Sequence, residues 1–267
     1  NAARFVLMTV EGDDAAAAAQ SLAGPVEYSV ADRWIRSRLG TMLRSVETAF
    51  AEYRFDFAAT ALYEFTWYEF CDWYLELAKP ALQSASSSEA ARRGARRTLV
   101  ETLEALLRAL HPLMPFISEE IWARVAPLAL AAQPAASRPA ALIVARWPER
   151  SQWHADAAAE RDIAWIQRFV LGLRQVRGEM DISPAKKLPV LLANVSEHDA
   201  ACARDYGALL ERLAGLESLR TLGPGEAEPP SALALAGELK LLVPMAGLID
   251  PVAEIDRLGK RIAKIQS

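Results

Sequence analysis

The sequence predicts a mainly α-helical protein: an antiparallel helical bundle, followed by a small α+β unit and the base of a coiled-coil helix. Three observations carry this prediction. Between residues 25 and 148, apolar residues recur at steps of three and four, the period of helices with a buried face. From residue 149 to 249, strand-like runs mix with helical stripes, as in an α+β unit. After Asp250 and Pro251, Ile255, Leu258, Ile262 and Ile265 follow at heptad spacing. Residues 1–24 read as the end of a helix (NAARFVLMTV) and a small-residue connector, and residues 250–267 as the start of a longer arm.

The chain is organised around RFDFAATALYEFTWYEFCDWYLELAKP, residues 54–80. Nine of the 21 aromatic residues fall between Phe55 and Tyr74, which marks this segment as the central helix of the bundle. Asp56 is expected to cap it and Pro80 to stop it, since proline has no N–H to continue the ladder. Glu64, Glu69, Asp72 and Glu76 interrupt the apolar surface. At helical spacing Glu69, Asp72 and Glu76 share one face, either as a solvated face or ion-pair partners of a neighbouring helix, or as a catalytic or metal-binding carboxylate cluster.

The helix before it is expected to open at Asp32. Its stripe is Ile35, Leu39, Met42, Val46, Ala49 and Tyr53, with Arg33, Arg36, Arg38 and Arg44 on the other faces. It ends near Arg54, so close to the aromatic helix that the two form an antiparallel hairpin. QSASSSEAARRG reads as a loop. A third helix follows from Arg92 to His111, with Arg92, Arg93, Arg96 and Arg97 crowding its first turns, where the helix dipole favours anions. That placement suits either pairing with acids elsewhere or a phosphate contact. A fourth helix starts at Ser118.

Further on, ALIVARWP (141–148) reads as a strand, Asp156 to Glu179 as a helix and KLPVLLANV as a strand. Glu197 to Leu213 reads as a helix and SLRTLG as a short strand. GPGEAEPPS reads as a loop, and ELKLLVPMAGLI as a strand pair or one long bent strand.

The net charge of −4 excludes a protein that grips nucleic acid over its whole surface but leaves room for local RNA contact. Two distant cysteines, Cys71 and Cys202, build neither a disulfide framework nor a zinc site and suit a reducing, cytoplasmic setting. His111, His154 and His198 stand apart in sequence and read as capping or packing residues. No signal peptide, membrane span, glycine-rich phosphate loop or catalytic motif is visible, so neither a catalytic residue nor a bound cofactor or metal is assigned. The residues alone lead to a helical bundle with an α+β appendix, most simply a binding module.

Several stretches then point further. ADRWIRSRL, YRFDFAATALYEFTWYEFCDWYLELAKPAL, RRTLVETLEALLRALHPLMPFISEEIW and VRGEMDISPAKKLP occur in this order. Together they resemble the C-terminal half of class I valyl-tRNA synthetases. LVPMAGLIDPVAEIDRLGKRIAKI resembles the start of that family's coiled-coil arm, and NAARFVLM the helix leaving its catalytic core. Isoleucyl enzymes share the bundle but usually carry a cysteine-rich zinc module, which two separated cysteines do not match. The family's HIGH and KMSKS signatures are absent.

The resemblance implies an anticodon-binding bundle whose partners are tRNA(Val) and the catalytic core of the same polypeptide. It also implies a monomeric full-length enzyme that uses ATP and Mg. Anticodon bases are unstacked and read against aromatic rings. The expected RNA-binding residues are therefore Tyr53, Arg54 and Phe55 at the first hairpin turn, Arg33, Arg36 and Arg38 on the first helix, and Arg92, Arg93 and Arg96 on the third. Phe55 has a second reading, as a core plug closing the hairpin. Two other functions stay open at this point, a protein-interaction bundle and a small-molecule enzyme.

Overall fold

The computed structural model describes residues 1–10, 18, 21–223 and 225–245. The coiled-coil reading of residues 250–267 and most of the connector after Val10 lie outside the described residues. The chain divides into two compact units, the first being Asn1–Ile163 and the second beginning at Ala164. Residues 149–163, expected with the α+β part, thus belong to the first unit.

The first unit opens with helix α1 (Ala2–Val10). Helix α2 (Val30–Ala51) starts two residues before Asp32, because Ser29 is the cap and Asp32 completes a reciprocal capping box with it. Ile35, Leu39, Met42, Val46 and Ala49 are buried as their spacing predicts. Tyr53 leaves the stripe: its φ of 56° ends the helix and turns the ring out, 81% exposed.

The aromatic segment is a continuous helix of three parts: α3 (Phe55–Glu64), a π-helix (Phe65–Tyr74) and α4 (Leu75–Gln83). Where the π-helix meets α4, the Leu75 N–H donates to the Phe70 carbonyl, five residues back. Asp56 sits in the first turn rather than at the cap, which is Arg54. Pro80 does not stop the helix. It lies in the last turn, which closes when the Ser84 N–H donates to the Pro80 carbonyl at 3.0 Å.

Five-residue steps change which side chains face inward. Phe65, Phe70, Tyr74 and Leu75 are buried, whereas Tyr63, Trp67 and Tyr68 are exposed. The segment is therefore not the fully enclosed centre of the bundle but a wall with one wet face. Glu69, Asp72 and Glu76 form no cluster and take the solvated and ion-paired alternative. Arg38 makes a bidentate bond to Glu69 at 2.8–3.1 Å, Asp72 is exposed, and Glu76 pairs with Lys79.

Helix α5 (Glu89–Leu110) is capped by Ser88, so it starts three residues earlier than Arg92 and carries Glu89 in its first turn. Helix α6 (Pro115–Ala129) likewise begins before Ser118, with proline at its first position. The ALIVARWP run is not a strand. It forms a short 3-10 turn (Leu142–Val144), because the Glu119 carboxylate takes the N–H groups of Leu142 and Ile143 that a ladder would need. Another 3-10 turn (Arg150–Gln152) leads to Trp153, which lies on α2 at Gly40. A Cβ on Gly40 would come within 2.6 Å of the Trp153 carbonyl oxygen.

Helix α7 (Ala157–Glu179) begins in the first unit and ends in the second. In the second unit come β1 (Leu188–Ala193), α8 (Glu197–Ala214), β2 (Leu216–Thr221), β3 (Ser231–Ala236) and β4 (Leu239–Pro244). The sheet order is β2-β1-β4-β3, with β1 and β2 parallel across α8 and the other neighbours antiparallel. Pro189 falls at a register shift between β1 and β2, where a missing donor does least harm.

Strand β3 was not visible in the sequence; of ELKLLVPMAGLI the described residues supply β4, and residues 246–249 lie outside the described residues. SALALA turns its alanines inward and its leucines outward. Ala234 and Ala236 are buried, while Leu233 and Leu235 are exposed. The small residues allow a close approach of α7, where a Cβ on Gly172 would meet the Ala234 Cβ at 3.2 Å.

Candidate nucleic-acid interface at the turn end of the bundle

Helices α2 and α5 run parallel. The Arg36 guanidinium donates to Glu101 at 2.6 Å, and further along two adjacent residues clamp the same helices. Trp147 Nε1 donates to Glu47 at 3.2 Å, while Arg108 donates to the Arg146 carbonyl at 3.0 Å. The α2–α3 turn and the α5–α6 turn therefore emerge at one end of the bundle.

That end carries a cluster of wet apolar groups. From the first turn come Tyr53, Phe55 and Phe57; from the second come Leu113, Met114, Phe116 and Ile117, with Phe116 89% exposed. Phe55 stands edge-on between Phe50 at 5.8 Å and Tyr53 at 6.5 Å. It is 53% exposed, so it rests on the hairpin without plugging it. Arg54 lies over the Phe57 ring at 3.7 Å and pairs with Asp56 at 2.8 Å, which holds that carboxyl below its usual range. Helices α3 and α6 both start here with no side-chain hydrogen bond from the cap residue, and at α3 the Asp56 carboxylate takes the Phe57 N–H. His111 ties the second turn together through the Ser118 hydroxyl at 2.9 Å.

The other expected RNA contacts lie elsewhere, and all but Arg96 have protein partners. Arg33 pairs with Asp156 at 3.1 Å, and Arg38 bridges Glu69 and Glu160. Arg36, besides Glu101, lies between the rings of Tyr28 and Trp153 at 5.1 and 4.7 Å. Arg92 pairs with Glu89, Arg93 donates to the Pro25 carbonyl at 2.6 Å, and Arg96 is half-buried. The first five thus each tie neighbouring segments of the first unit, while the buried Nε of Arg96 has no hydrogen-bond partner among the described residues. Sequence reasoning passed over Arg44 and Arg146, exposed guanidinium groups that form no ion pair among the described residues. It also passed over Phe116; the signal available was HPLMPF, two prolines framing apolar residues in a turn.

A half-open cleft of about 560 Å³ lies beside Arg36, Glu101, Glu104, Arg108, Trp147 and Trp153. Its inner charges are matched: Glu101 binds Arg36, and Glu104 accepts from Arg108 and from Trp122 Nε1. No two carboxylates there are left free to act as an acid–base pair. In the second unit His198 is not isolated, since its ring lies 3.6 Å from the Cys202 sulfur. Among the described residues no helix is long and apolar enough to cross a membrane.

Two comparisons with known proteins say what the chain is similar to. The family described as "Anticodon-binding domain of tRNA ligase" matches residues 32–192. Valine--tRNA ligase of Stenotrophomonas maltophilia (strain R551-3) is 42% identical over 268 residues, which is 100% of this chain and 27% of that protein. The chain thus spans about a quarter of the length of this curated relative. With more than half its residues inside the match, the chain belongs to the family of anticodon-binding domains of tRNA ligases.

Proposed function

We propose that this chain is the part of a valine–tRNA ligase that binds tRNA(Val) and recognises its anticodon. The observation that carries the reading is the convergence of two hairpin turns, both bearing exposed rings, at one end of the bundle. An anticodon loop is single-stranded, so its bases splay out and stack on such rings, at about 1–3 kcal/mol per base. Tyr53, Arg54 and Phe55 keep the role expected of them, joined by Phe57 and Phe116. Arg44 and Arg146 supply the phosphate contacts. Arg33, Arg36, Arg38, Arg92 and Arg93 act indirectly, by fixing the helices that present the turns.

The full-length protein would join valine to tRNA(Val) with ATP and Mg, as a cytoplasmic monomer. Its chemistry would sit in polypeptide outside this sequence, and this part alone would neither activate valine nor charge tRNA. The 42% identity to a valine enzyme favours that amino acid over isoleucine. The test is a gel shift of tRNA(Val) against the same tRNA with a replaced anticodon. Tighter binding of the native anticodon is expected. Equal binding of both would overturn anticodon recognition at this site.

A further inference from the structure

Helices α7 and α8 bring together three side chains that tRNA recognition does not use. His198 and Cys202 stand four residues apart on α8, a spacing that puts them on one face. The Cys202 sulfur lies 3.6 Å from Nε2 and 3.7 Å from Nδ1 of the His198 ring. The third group is Asp162 on α7. One ligand atom from each of the three lies within 4.8 Å of the others. Asp162 shares a helix face with Trp165, Ile166 and Phe169, all buried. Trp165 Nε1 donates to the Asp199 carboxylate of α8 at 2.7 Å. The unbroken helix therefore carries Asp162, one turn before Trp165, to α8. A linear reading could not find this group, because Asp162 and His198 belong to different helices with β1 between them.

The donor set is one nitrogen, one sulfur and one carboxylate oxygen. Calcium and magnesium take oxygen ligands, whereas zinc takes all three kinds. Metal–ligand bonds of about 2.0–2.3 Å in a tetrahedron put neighbouring ligand atoms roughly 3.5 Å apart. The sulfur and the ring nitrogen already stand at that spacing. The carboxylate has only to close in, by rotation of a side chain that is 19% exposed. Arg161, 3.9 Å from it, reaches into solvent and does not block that movement. Cys202 is buried while His198 and Asp162 are half-buried, so a metal here would meet water on the side of the imidazole and the carboxylate.

We propose that Asp162, His198 and Cys202 bind one zinc ion, with water as the fourth ligand. Binding exchanges the thiol proton for the metal; the proton goes to solvent and no electron moves. The ion ties α7 to α8 beside the Trp165–Asp199 bond and stabilises the fold around that bond. The proposal is independent of tRNA recognition, since the site shares no residue with the turn end.

The experiment is titration of the metal-free, reduced protein, with zinc chloride by calorimetry and with cobalt chloride by absorption spectroscopy. One equivalent of zinc is expected to bind. One equivalent of cobalt is expected to give a sulfur-to-cobalt charge-transfer band and the intense visible bands of a tetrahedral site. Cys202→Ser should abolish the charge-transfer band, and Cys71→Ser should leave it intact. His198→Ala and Asp162→Asn should each weaken zinc binding by more than about tenfold, the least that loss of a merely supporting contact costs. Zinc should raise the melting temperature of the parent protein and of Cys71→Ser, but not that of Cys202→Ser. Absence of the charge-transfer band, or its survival in Cys202→Ser, would overturn the proposal. So would parental zinc affinity in Asp162→Asn, a change that keeps the shape of the side chain and is checked for folding by circular dichroism.

Discussion

Two sets of exposed aromatic rings stand on the same continuous helix, and the charges around them differ. At the turn end, Phe55 and Phe57 sit with Tyr53 and Phe116, beside two helix starts, on the half of the bundle that bears Arg146. On the π-helix, Tyr63, Trp67 and Tyr68 sit between Glu64 and Asp72. Ring content alone would give both regions the same partner. The fixed charges separate them, because a ring is a stacking surface for any planar or cationic group, and only its electrostatic frame selects which. An exposed aromatic cluster is therefore half an argument for RNA binding until its neighbouring carboxylates have been accounted for.

The sharpest test of this comparison uses neighbouring residues on the two faces of the π-helix. Phe70→Ala removes a fully buried ring and should cost about 3–5 kcal/mol in urea unfolding. Trp67→Ala, three residues earlier, should cost less than about 1 kcal/mol. Similar costs for the two would mean that the helix is not wound in five-residue steps.

Next in size is base stacking. Phe55→Ala and Phe116→Ala should each weaken tRNA(Val) binding by about 1–3 kcal/mol with little change in melting temperature. Trp67→Ala should leave tRNA affinity unaltered. A tRNA defect in Trp67→Ala equal to that in Phe116→Ala would erase the distinction between the two clusters.

Smaller effects come from the guanidinium groups. Arg44→Gln and Arg146→Gln should each reduce the salt dependence of tRNA binding by about one power of salt concentration. Arg36→Gln should lower the melting temperature and leave that slope unchanged, since Arg36 is held by Glu101 and two rings. The reverse pattern would return the phosphate contact to the paired arginines.

The smallest effect concerns the inner face. Burial pushes the Asp32 carboxyl up, against hydrogen bonds from Tyr74 at 2.6 Å and from Ser29, and against the Arg36 charge. Between the ordinary carboxylate value and this raised one, the native protein binds more protons than the unfolded chain. The contribution of this group to stability is therefore greatest at low pH and falls as pH rises through the raised value. The difference in melting temperature between the parent protein and Asp32→Asn should accordingly shift in favour of the parent as pH is lowered toward the ordinary carboxylate value. A gap independent of pH would show that Asp32 titrates alike in both states.

What the sequence disclosed, and what it hid, follows from period. The α2 stripe from Ile35 to Ala49 obeys the ordinary helical period and was legible throughout. The aromatic helix was legible as a helix but not in its faces, since a period of five spreads Phe65, Phe70 and Tyr74 where a 3.6-residue count finds no stripe. β3 was hidden because alanine, not leucine, is its inward residue. The first hairpin turn was found from its rings and its arginine. The second was hidden because nothing in a linear reading says that Met114 and Phe116 return to the same end as Phe55. The partners of the arginines were hidden because charge is visible in a sequence and its partner is not: Asp156 lies 123 residues from Arg33.

The π-helix also sets an angular phase between the helices on either side of it. Helix α3 presents its turn-end rings, and α4 buries Leu75, Leu77 and Ala78, along one axis that the intervening segment has rotated. Deleting a single residue between Phe65 and Tyr74 would let the segment relax to ordinary α winding, with all but one of its side chains retained. Everything on one side of the deletion would then be turned against everything on the other by about a quarter of a revolution. The Tyr74–Asp32 and Arg38–Glu69 bonds could not both survive that turn, and the alignment between the two ends of the wall would be lost even where each end stayed folded. In this segment the residue count is itself a structural parameter, and an insertion or deletion is a rotation before it is a loss of mass.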